Sequence, residues 1–194
     1  MAQRWRAEDW LAFGAERLRE GGPEALALDR LCAAAGRTKG SFYHHFPTMA
    51  EFTRRVLTRW RDGALAALET WREADPGAPR RARLAALSQA VDDRLEAAIR
   101  ALAARDAAAK ALVAEVDAAR ESAITRFLAE NWALPALRAQ RAAQILYALF
   151  VAAQARAPGD VARFTAPLEA QVVRWLGQPR PDTAEEPGDQ LTLF

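Results

Sequence analysis

Apolar residues recur every three or four positions along most of this chain, and that spacing predicts helices with one buried face. The first such helix covers residues 5–20, and Gly21-Gly22-Pro23 ends it. Thr48 begins a longer helix that continues to about Trp71, with Glu51 placed to complete a capping box. The spacing then predicts one continuous helix carrying Leu84, Leu87, Val91, Leu95, Ala98 and Leu102, followed by helices over residues 106–132, 136–157 and 160–176.

The composition favours an all-α fold. Val and Ile together number 11 of 194 residues, and neither Gly nor Pro occurs between Arg80 and Asn131. No apolar run reaches the ~20 residues that span a bilayer. The one cysteine, Cys32, excludes an internal disulfide, so we expect a cytoplasmic protein that does not enter a membrane.

Residues 28–46, LDRLCAAAGRTKGSFYHHF, contain two short helices joined by a tight connection. Gly36 is a helix-ending residue, and Thr38 is placed to cap the free N–H groups of the second helix. Two short helices joined across a few residues that include Gly are typical of a helix-turn-helix. At 100° per residue, the second helix points Phe42 inward and Gly40 outward, and its polar outer side suits the major groove of DNA.

The segment Ala35-Gly36, followed by residues 38–46, resembles the signature of TetR-type transcriptional repressors, which reads approximately AG-x-[ST]-x-G-[ST]-[LFI]-Y-x-[HY]-F. The resemblance implies that this helix enters the major groove, with positions 39, 40, 41 and 44 near base edges. It also implies that Tyr43, His45 and Thr38 hold phosphates. The expected contacts to a double-stranded DNA operator are therefore Thr38, Lys39, Gly40, Ser41, Tyr43, His44 and His45.

The charge distribution agrees with this interpretation. Residues 1–63 carry 11 Lys and Arg against 8 acidic residues, whereas residues 64–194 carry 16 against 17. Gln3, Arg4 and Arg6 form a short basic arm that either touches DNA or is a frayed, solvated end. Ala27 and Met49 replace a Thr and a Lys that are common in the family, which weakens the expected hold on phosphate.

The resemblance divides the chain into three parts. Residues 1–47 are the helix-turn-helix head of three helices, and the fourth helix joins this head to an all-helical regulatory and dimerisation body over residues 48–177. The polar, Pro-rich residues 178–194 are expected to be disordered.

Two helix faces of the body are candidates for a homodimer interface. By the resemblance, the corresponding helices pack against their symmetry mates as a four-helix bundle, and the dimer binds a palindromic operator. The alternative is that both faces close the monomer's own core. The residues concerned are Ile145, Leu149, Ala152, Ala153, Phe164, Leu168, Val172 and Trp175.

Four aromatic residues predict a pocket for an unknown small-molecule effector between the fourth helix and the helix at 106–132. Large aromatic side chains can line an apolar cavity, and a tyrosine adds one polar group. Aromatic residues at helical spacing are also common in plain core. The four are Trp60, Phe127, Trp132 and Tyr147.

No pattern for catalysis, metal binding or a cofactor occurs. The two histidines are adjacent, so on a helix their rings diverge by about 100° and do not grip one metal. The sequence contains no HExxH, P-loop, GxGxxG or GxSxG motif, and we expect no enzyme. Two groups of charged residues in the body are interpreted as solvated surface, namely Asp92, Asp93 and Glu96, and the pair Asp117 and Arg120.

The last five residues form an apolar cluster after the polar tail, and they resemble the bacterial sliding-clamp-binding peptide QL[SD]LF. The residues are Gln190, Leu191, Leu193 and Phe194, around Thr192. The alternative is that they fold back onto the protein. Two functions therefore stay open: a repressor released from DNA by a small apolar ligand, or a DNA-binding adaptor that recruits a protein such as the sliding clamp.

Overall fold

The computed structural model describes residues 5–74 and 77–177. Within those ranges the chain forms nine α-helices and one short 3₁₀ helix, Pro23–Leu26, without a strand, so the all-α prediction is confirmed. None of these helices is both long and apolar enough to cross a membrane. The helices are α1 (Ala7–Gly21), α2 (Leu28–Ala35), α3 (Lys39–Tyr43), α4 (Met49–Glu73), α5 (Arg80–Gln89), α6 (Asp93–Ala103), α7 (Ala107–Trp132), α8 (Ala136–Arg156) and α9 (Val161–Leu176).

Helices α1 to α3 form the head, and α4 leads from it into the body. In the body α7 packs along α4, α6 and α8, and α9 covers α8. Helix α6 also packs against α1, so it touches both the head and the centre of the body. A shift of α6 would therefore change the packing of both the head and the body.

The head has a core of aromatic rings. Trp10, Phe42, Phe46 and Phe52 are fully buried. The ring of Phe42 lies 5.4 Å from that of Trp10 and 5.2 Å from that of Phe52, both edge to face, which is a favourable aromatic geometry. The inward positions predicted for Phe42 and Phe46 are confirmed, and this packing fixes which side of α3 faces solvent.

The predicted single helix through residues 84–102 is wrong, because the structure has two helices there. Helix α5 ends at Gln89, and α6 starts at Asp93. The Asp92 carboxylate accepts a hydrogen bond from the N–H of Leu95 at 3.1 Å and so caps α6. The apolar spacing crosses the break because Leu87 of α5, Val91 of the connection and Leu95 of α6 all pack against the core.

Two residues assigned to the dimer interface are buried inside the monomer. Ala153 and Val172 belong to the core of the body, where α8 and α9 pack on each other, and they are not available to a partner. Leu149 is half-buried against the same core. The other members of the predicted set are exposed, namely Ile145, Ala152, Phe164, Leu168 and Trp175.

The interpretation of five charged residues as solvated surface was wrong for Glu96 and Arg120, which are buried, and for Asp93 and Asp117, which are half-buried, while Asp92 is exposed. Glu96 is 3% exposed and accepts two hydrogen bonds from Arg120, at 2.9 and 2.6 Å. Gln154 donates a third bond to Glu96 at 2.9 Å. Asp117 pairs with Arg100 of α6 and not with Arg120, its neighbour in sequence.

A second set of bonds extends this buried network. The Arg100 guanidinium donates two bonds to Asp117 at 2.9 and 2.8 Å and one to Gln154 at 2.9 Å. The Tyr147 hydroxyl donates to Asp117 at 2.7 Å. Burial raises the pKa of Tyr147. The network thus joins α6, α7 and α8 through paired charges. Pairing is needed because a buried charge without a partner carries a large desolvation cost.

Candidate nucleic-acid interface

Helix α3 is held at its start by two local features that the sequence predicts. Gly36 ends α2 in the left-handed conformation, with φ 61°, which glycine adopts without the strain of a side chain. The Thr38 hydroxyl then accepts a hydrogen bond from the N–H of Ser41 at 3.2 Å and caps α3. We call α3 the recognition helix from here on.

The outer face of the recognition helix is open to solvent. Lys39, Gly40 and His44 are exposed and Ser41 is half-buried, while Phe42 anchors the opposite face. A Cβ atom built on Gly40 would meet only the Thr38 hydroxyl oxygen, at 3.8 Å, so nothing inside the protein requires a glycine there. Gly40 therefore lowers the helix propensity without a packing reason, and it lies on the face proposed to contact DNA.

Lys39 has a partner within the head. Its ammonium lies 2.5 Å from the carboxylate of Asp29, which belongs to α2. The hydrogen bond that Lys39 donates to Asp29 raises the pKa of Lys39. Both side chains are exposed, so the pair is weak and a phosphate or a base can take the place of Asp29.

The two predicted phosphate contacts after Phe42 differ in their surroundings. Tyr43 is 49% exposed. His45 is half-buried, and its Nε2 lies 3.0 Å from the backbone oxygen of Trp5. The role predicted for His45 at a phosphate stays a prediction, and in the protein alone its ring binds the segment before α1.

Trp5 is a residue that the sequence analysis did not single out. Its ring packs edge to face on Trp10, with 4.9 Å between ring centroids, and on Phe13 at 5.2 Å. The Arg37 guanidinium lies 5.3 Å from the Trp5 ring centroid. The signal was present, because apolar residues just before a helix and at its fourth position, here Trp5 and Trp10, form a hydrophobic staple.

Two of the four aromatic residues predicted to line one effector pocket are in contact, since the rings of Phe127 and Trp132 lie 6.0 Å apart, but the four do not form one group. Phe127 contacts Trp71, with 5.2 Å between rings, and Trp132 stacks under Arg80. Trp71 lies 11 residues beyond Trp60 along α4, which is about 16 Å at 1.5 Å per residue. Trp60 and Phe127 are therefore at different levels of the body, and that grouping was wrong.

A cleft and a cavity lie near the buried network. A cleft of about 270 Å³ opens between α1, α4 and the junction of α5 with α6, and we call it the head–body cleft. A smaller apolar cavity of about 40 Å³ lies between α5, α7 and α8 and includes Tyr147. The two share Leu87, Val91 and Arg120 in their walls.

Gly63 deepens the head–body cleft. It lies in the interior of α4, and a Cβ atom built there meets nothing within 4 Å. A helix-interior glycine costs about 1 kcal/mol relative to alanine, and packing does not require this one. The rest of the lining is mainly apolar and includes four charged residues: Ala15, Val56, Arg59, Trp60, Ala64, Ala67, Leu68, Leu87, Ala90, Val91, Asp92, Leu95, Glu96 and Arg120.

Metal binding has no candidate group of ligands among the residues that the structure describes. The C-terminal peptide Gln190-Leu191-Thr192-Leu193-Phe194 lies outside the described residues. Its proposed binding to a sliding clamp and the disorder expected of residues 178–194 therefore stay predictions of the sequence.

The chain resembles known regulators in sequence over residues 11–56 and in structure over 87–89% of its length. Residues 11–56 match the sequence profile of the bacterial regulatory proteins of the tetR family, which confirms the signature identified at residues 35–46. A TetR-family transcriptional regulator from Agrobacterium tumefaciens is 19% identical, with a TM-score of 0.69 over 87% of this chain and 96% of that chain.

Two further solved structures have the same fold. The reduced form of NemR from E. coli is 23% identical, with a TM-score of 0.65 over 87% of this chain and 94% of that chain. A transcriptional regulator from Rhodococcus sp. Rha1 is 19% identical, with a TM-score of 0.63 over 89% of this chain and 92% of that chain. A comparison with curated protein sequences gives no match.

Proposed function

We propose that this chain is a DNA-binding transcriptional repressor. Its residues 11–56 match the tetR family of bacterial regulatory proteins, whose members regulate transcription. It binds a palindromic operator as a homodimer and leaves it when a small apolar ligand binds the body. The family profile describes regulatory proteins, and the expectation that the chain is not an enzyme agrees with that description.

One observation carries the DNA-binding part of the proposal. The recognition helix turns its apolar side, Phe42, into a closed aromatic core and its polar side to solvent. A helix held in this way presents donors and acceptors at fixed positions, as major-groove readout requires. Gly40 lies in the middle of that exposed face and allows the helix backbone to approach a DNA strand closely.

Selection of binding sites from random DNA tests the assignment of the reading face. We expect Gly40→Ala to keep or raise thermal stability, because alanine favours a helix by about 1 kcal/mol and meets no clash here. The same variant should lose DNA affinity, since the added methyl group lies where a DNA strand would approach. His44→Ala should instead relax the selected sequence, with a cost of about 1–3 kcal/mol for a lost base contact.

The outcome that contradicts this assignment is specific. If His44→Ala and the wild type select the same sequence with the same stringency, His44 does not read bases. If Gly40→Ala binds the selected operator as tightly as the wild type, close approach at position 40 is not needed.

The effector part of the proposal rests on the head–body cleft. A volume of about 270 Å³ corresponds to about nine waters at their share of liquid volume, which suits a small organic molecule. The cleft touches Ala15 of the head, α4 and the first turn of α6. A ligand that fits better when these elements move apart would favour the form that does not bind DNA.

Gly63→Leu is expected to fill the cleft and to weaken ligand binding while the fold and the operator affinity are retained. The new side chain points into open space, and leucine is a better helix former than glycine. The probe is 1-anilinonaphthalene-8-sulfonate, whose fluorescence rises in apolar sites, followed by a panel of small aromatic compounds tested for operator release. Ala66→Leu is the matched control, because Ala66 is exposed on α4 and does not line the cleft. Equal probe affinity in both variants would remove the cleft as the effector site.

A further inference from the structure

The recognition helix carries one charged residue, Lys39, at its first position. The Lys39 ammonium does not extend freely into solvent, because it lies 2.5 Å from the carboxylate of Asp29. Asp29 belongs to the first turn of α2, the preceding helix. The side chains of Asp29 and Lys39 are 77% and 58% exposed. The pair therefore joins the two helices of the helix-turn-helix on their solvent side.

Asp29 places a negative charge next to the surface that is proposed to contact DNA, which is itself a polyanion. As a structural contact the pair adds little, since exposed ion pairs stabilise a fold only slightly. A carboxylate also suits the N-terminal turn of α2, but this effect is small at an exposed position as well. The position of Asp29 therefore has its larger consequence for DNA binding.

Asp29 weakens any contact between Lys39 and a phosphate. Non-specific binding to DNA depends almost entirely on contacts between basic residues and phosphates. A phosphate that reaches the Lys39 ammonium must share it with the Asp29 carboxylate, and the two anions would then lie about 5 Å apart. Repulsion between two unit charges at this distance lowers an equilibrium constant roughly fourfold, even in water.

A contact between Lys39 and a base edge is affected less, because a base carries no net charge. Guanine presents two acceptors, O6 and N7, in the major groove. A lysine ammonium has three donor hydrogens, so Lys39 can keep a bond to Asp29 and donate to guanine at the same time. The carboxylate then fixes the direction in which the ammonium points.

We propose that Asp29 is a specificity-determining residue, which withholds Lys39 from phosphates and orients it toward a base of the operator. The inference rests on the proposed recognition of an operator and adds to it a residue outside the recognition helix. Specificity is a difference between two affinities, and a repulsive element that weakens binding to wrong sites raises it. Asp29 supplies such an element from α2.

The test measures the affinity of the full chain for an operator selected from random DNA and for a scrambled duplex of the same length and composition. We expect Asp29→Asn to bind the scrambled duplex roughly two- to eightfold more tightly at 0.1 M salt. The upper limit is the effect of one added phosphate contact, whose salt slope is about 0.9. Operator affinity should stay the same or fall, so the ratio of the two affinities should decrease.

A double-mutant cycle shows whether Asp29 acts through Lys39. Both side chains are exposed, so each variant should fold. In Lys39→Met the ammonium is absent, and adding Asp29→Asn should then change the affinity for the scrambled duplex by less than about twofold. Glu20→Gln is the matched control, because it removes the same charge from the head and frees Arg17, its partner at 2.6 Å near the end of α1. It should leave the ratio of operator to scrambled affinity unchanged.

Three results would overturn the inference. One is an unchanged affinity of Asp29→Asn for the scrambled duplex. Another is an equal gain for operator and scrambled duplex, which would mean that Asp29 only lowers the overall charge of the head. The third is a gain of the same size in the Lys39→Met background. If the wild type selects no operator at all, the proposed function fails first, and the inference fails with it.

Discussion

Replacing Glu96 by alanine is expected to lower the free energy of unfolding by about 3–5 kcal/mol, the usual cost of leaving one partner of a buried ion pair alone. Arg120 is 5% exposed and would keep its charge without the carboxylate that it binds twice. Burial lowers the pKa of Arg120, but the hydrogen bonds that Arg120 donates to Glu96 outweigh burial, and the pKa is raised overall. The variant lacks those bonds, but a guanidinium is not deprotonated in proteins, so Arg120 does not escape the penalty by losing its proton.

Thermal unfolding followed by circular dichroism measures this effect. For a chain of this size each kcal/mol shifts the midpoint by about 2–4 °C, so the expected decrease is about 6–20 °C. Glu115→Ala is the matched control, because Glu115 lies on the same helix α7 as Arg120 and pairs with Arg61 at the surface. Its midpoint should stay close to that of the wild type. A loss below about 1 kcal/mol in Glu96→Ala would mean that water reaches Arg120.

A double replacement separates the cost of an unpaired charge from the contribution of the pair itself. Glu96→Leu with Arg120→Met removes both charges and should recover most of the stability, since apolar residues often replace a buried pair at little cost. Some loss should remain, because the Gln154 amide keeps its bond from Arg100 but loses its acceptor on Glu96. A double variant as unstable as Glu96→Ala would indicate that packing, and not charge, dominates at this site.

The head could be predicted from sequence because its signals are local. The left-handed turn at Gly36, the cap at Thr38 and the inward Phe42 each depend on residues within four positions of one another. Trp5 could have been found from its position just before α1. Its contact with His45 could not, because 40 residues separate the two in sequence.

The body was harder to predict because its polar contacts join distant segments. Glu96 and Arg120 are 24 residues apart, and Gln154 follows 58 residues after Glu96. Sequence spacing offers Arg120 a partner at Asp117, three residues away, and gives no sign that α6 supplies a better one. The predicted grouping of four aromatic residues in one effector pocket was wrong for a similar reason. Periodicity indicates which side of a helix is apolar but not which helices meet at a given level.

The proposed dimer interface is a group of exposed apolar residues on α8 and α9. At 100° per residue, Phe164, Leu168 and Trp175 lie within about 40° of one another on α9, and all three are exposed. Ile145 is exposed on α8, which packs against α9. Exposed apolar residues grouped on neighbouring helices mark an interaction surface, and the described part of the monomer leaves this one uncovered.

Leu168→Glu is therefore expected to give a monomer and to lower operator affinity by about 10²–10⁴-fold, the gain that a second linked head provides. Two copies of the new carboxylate would face each other or an apolar partner across a two-fold interface, which is costly without a cation. In the monomer itself Leu168 is 40% exposed, so the glutamate can reach water and the fold should be kept. Sedimentation at micromolar concentration gives the oligomeric state, and binding to full and half palindromes gives the loss of operator affinity. The wild type should prefer the full site, and the variant should bind both with the affinity of a half-site.

Ala170→Glu is the control, because Ala170 is exposed and the new glutamate adds the same charge about 160° away on α9. Ile145→Glu provides an independent test on α8. A dimer that survives both Leu168→Glu and Ile145→Glu with full operator affinity would show that the two heads are joined elsewhere.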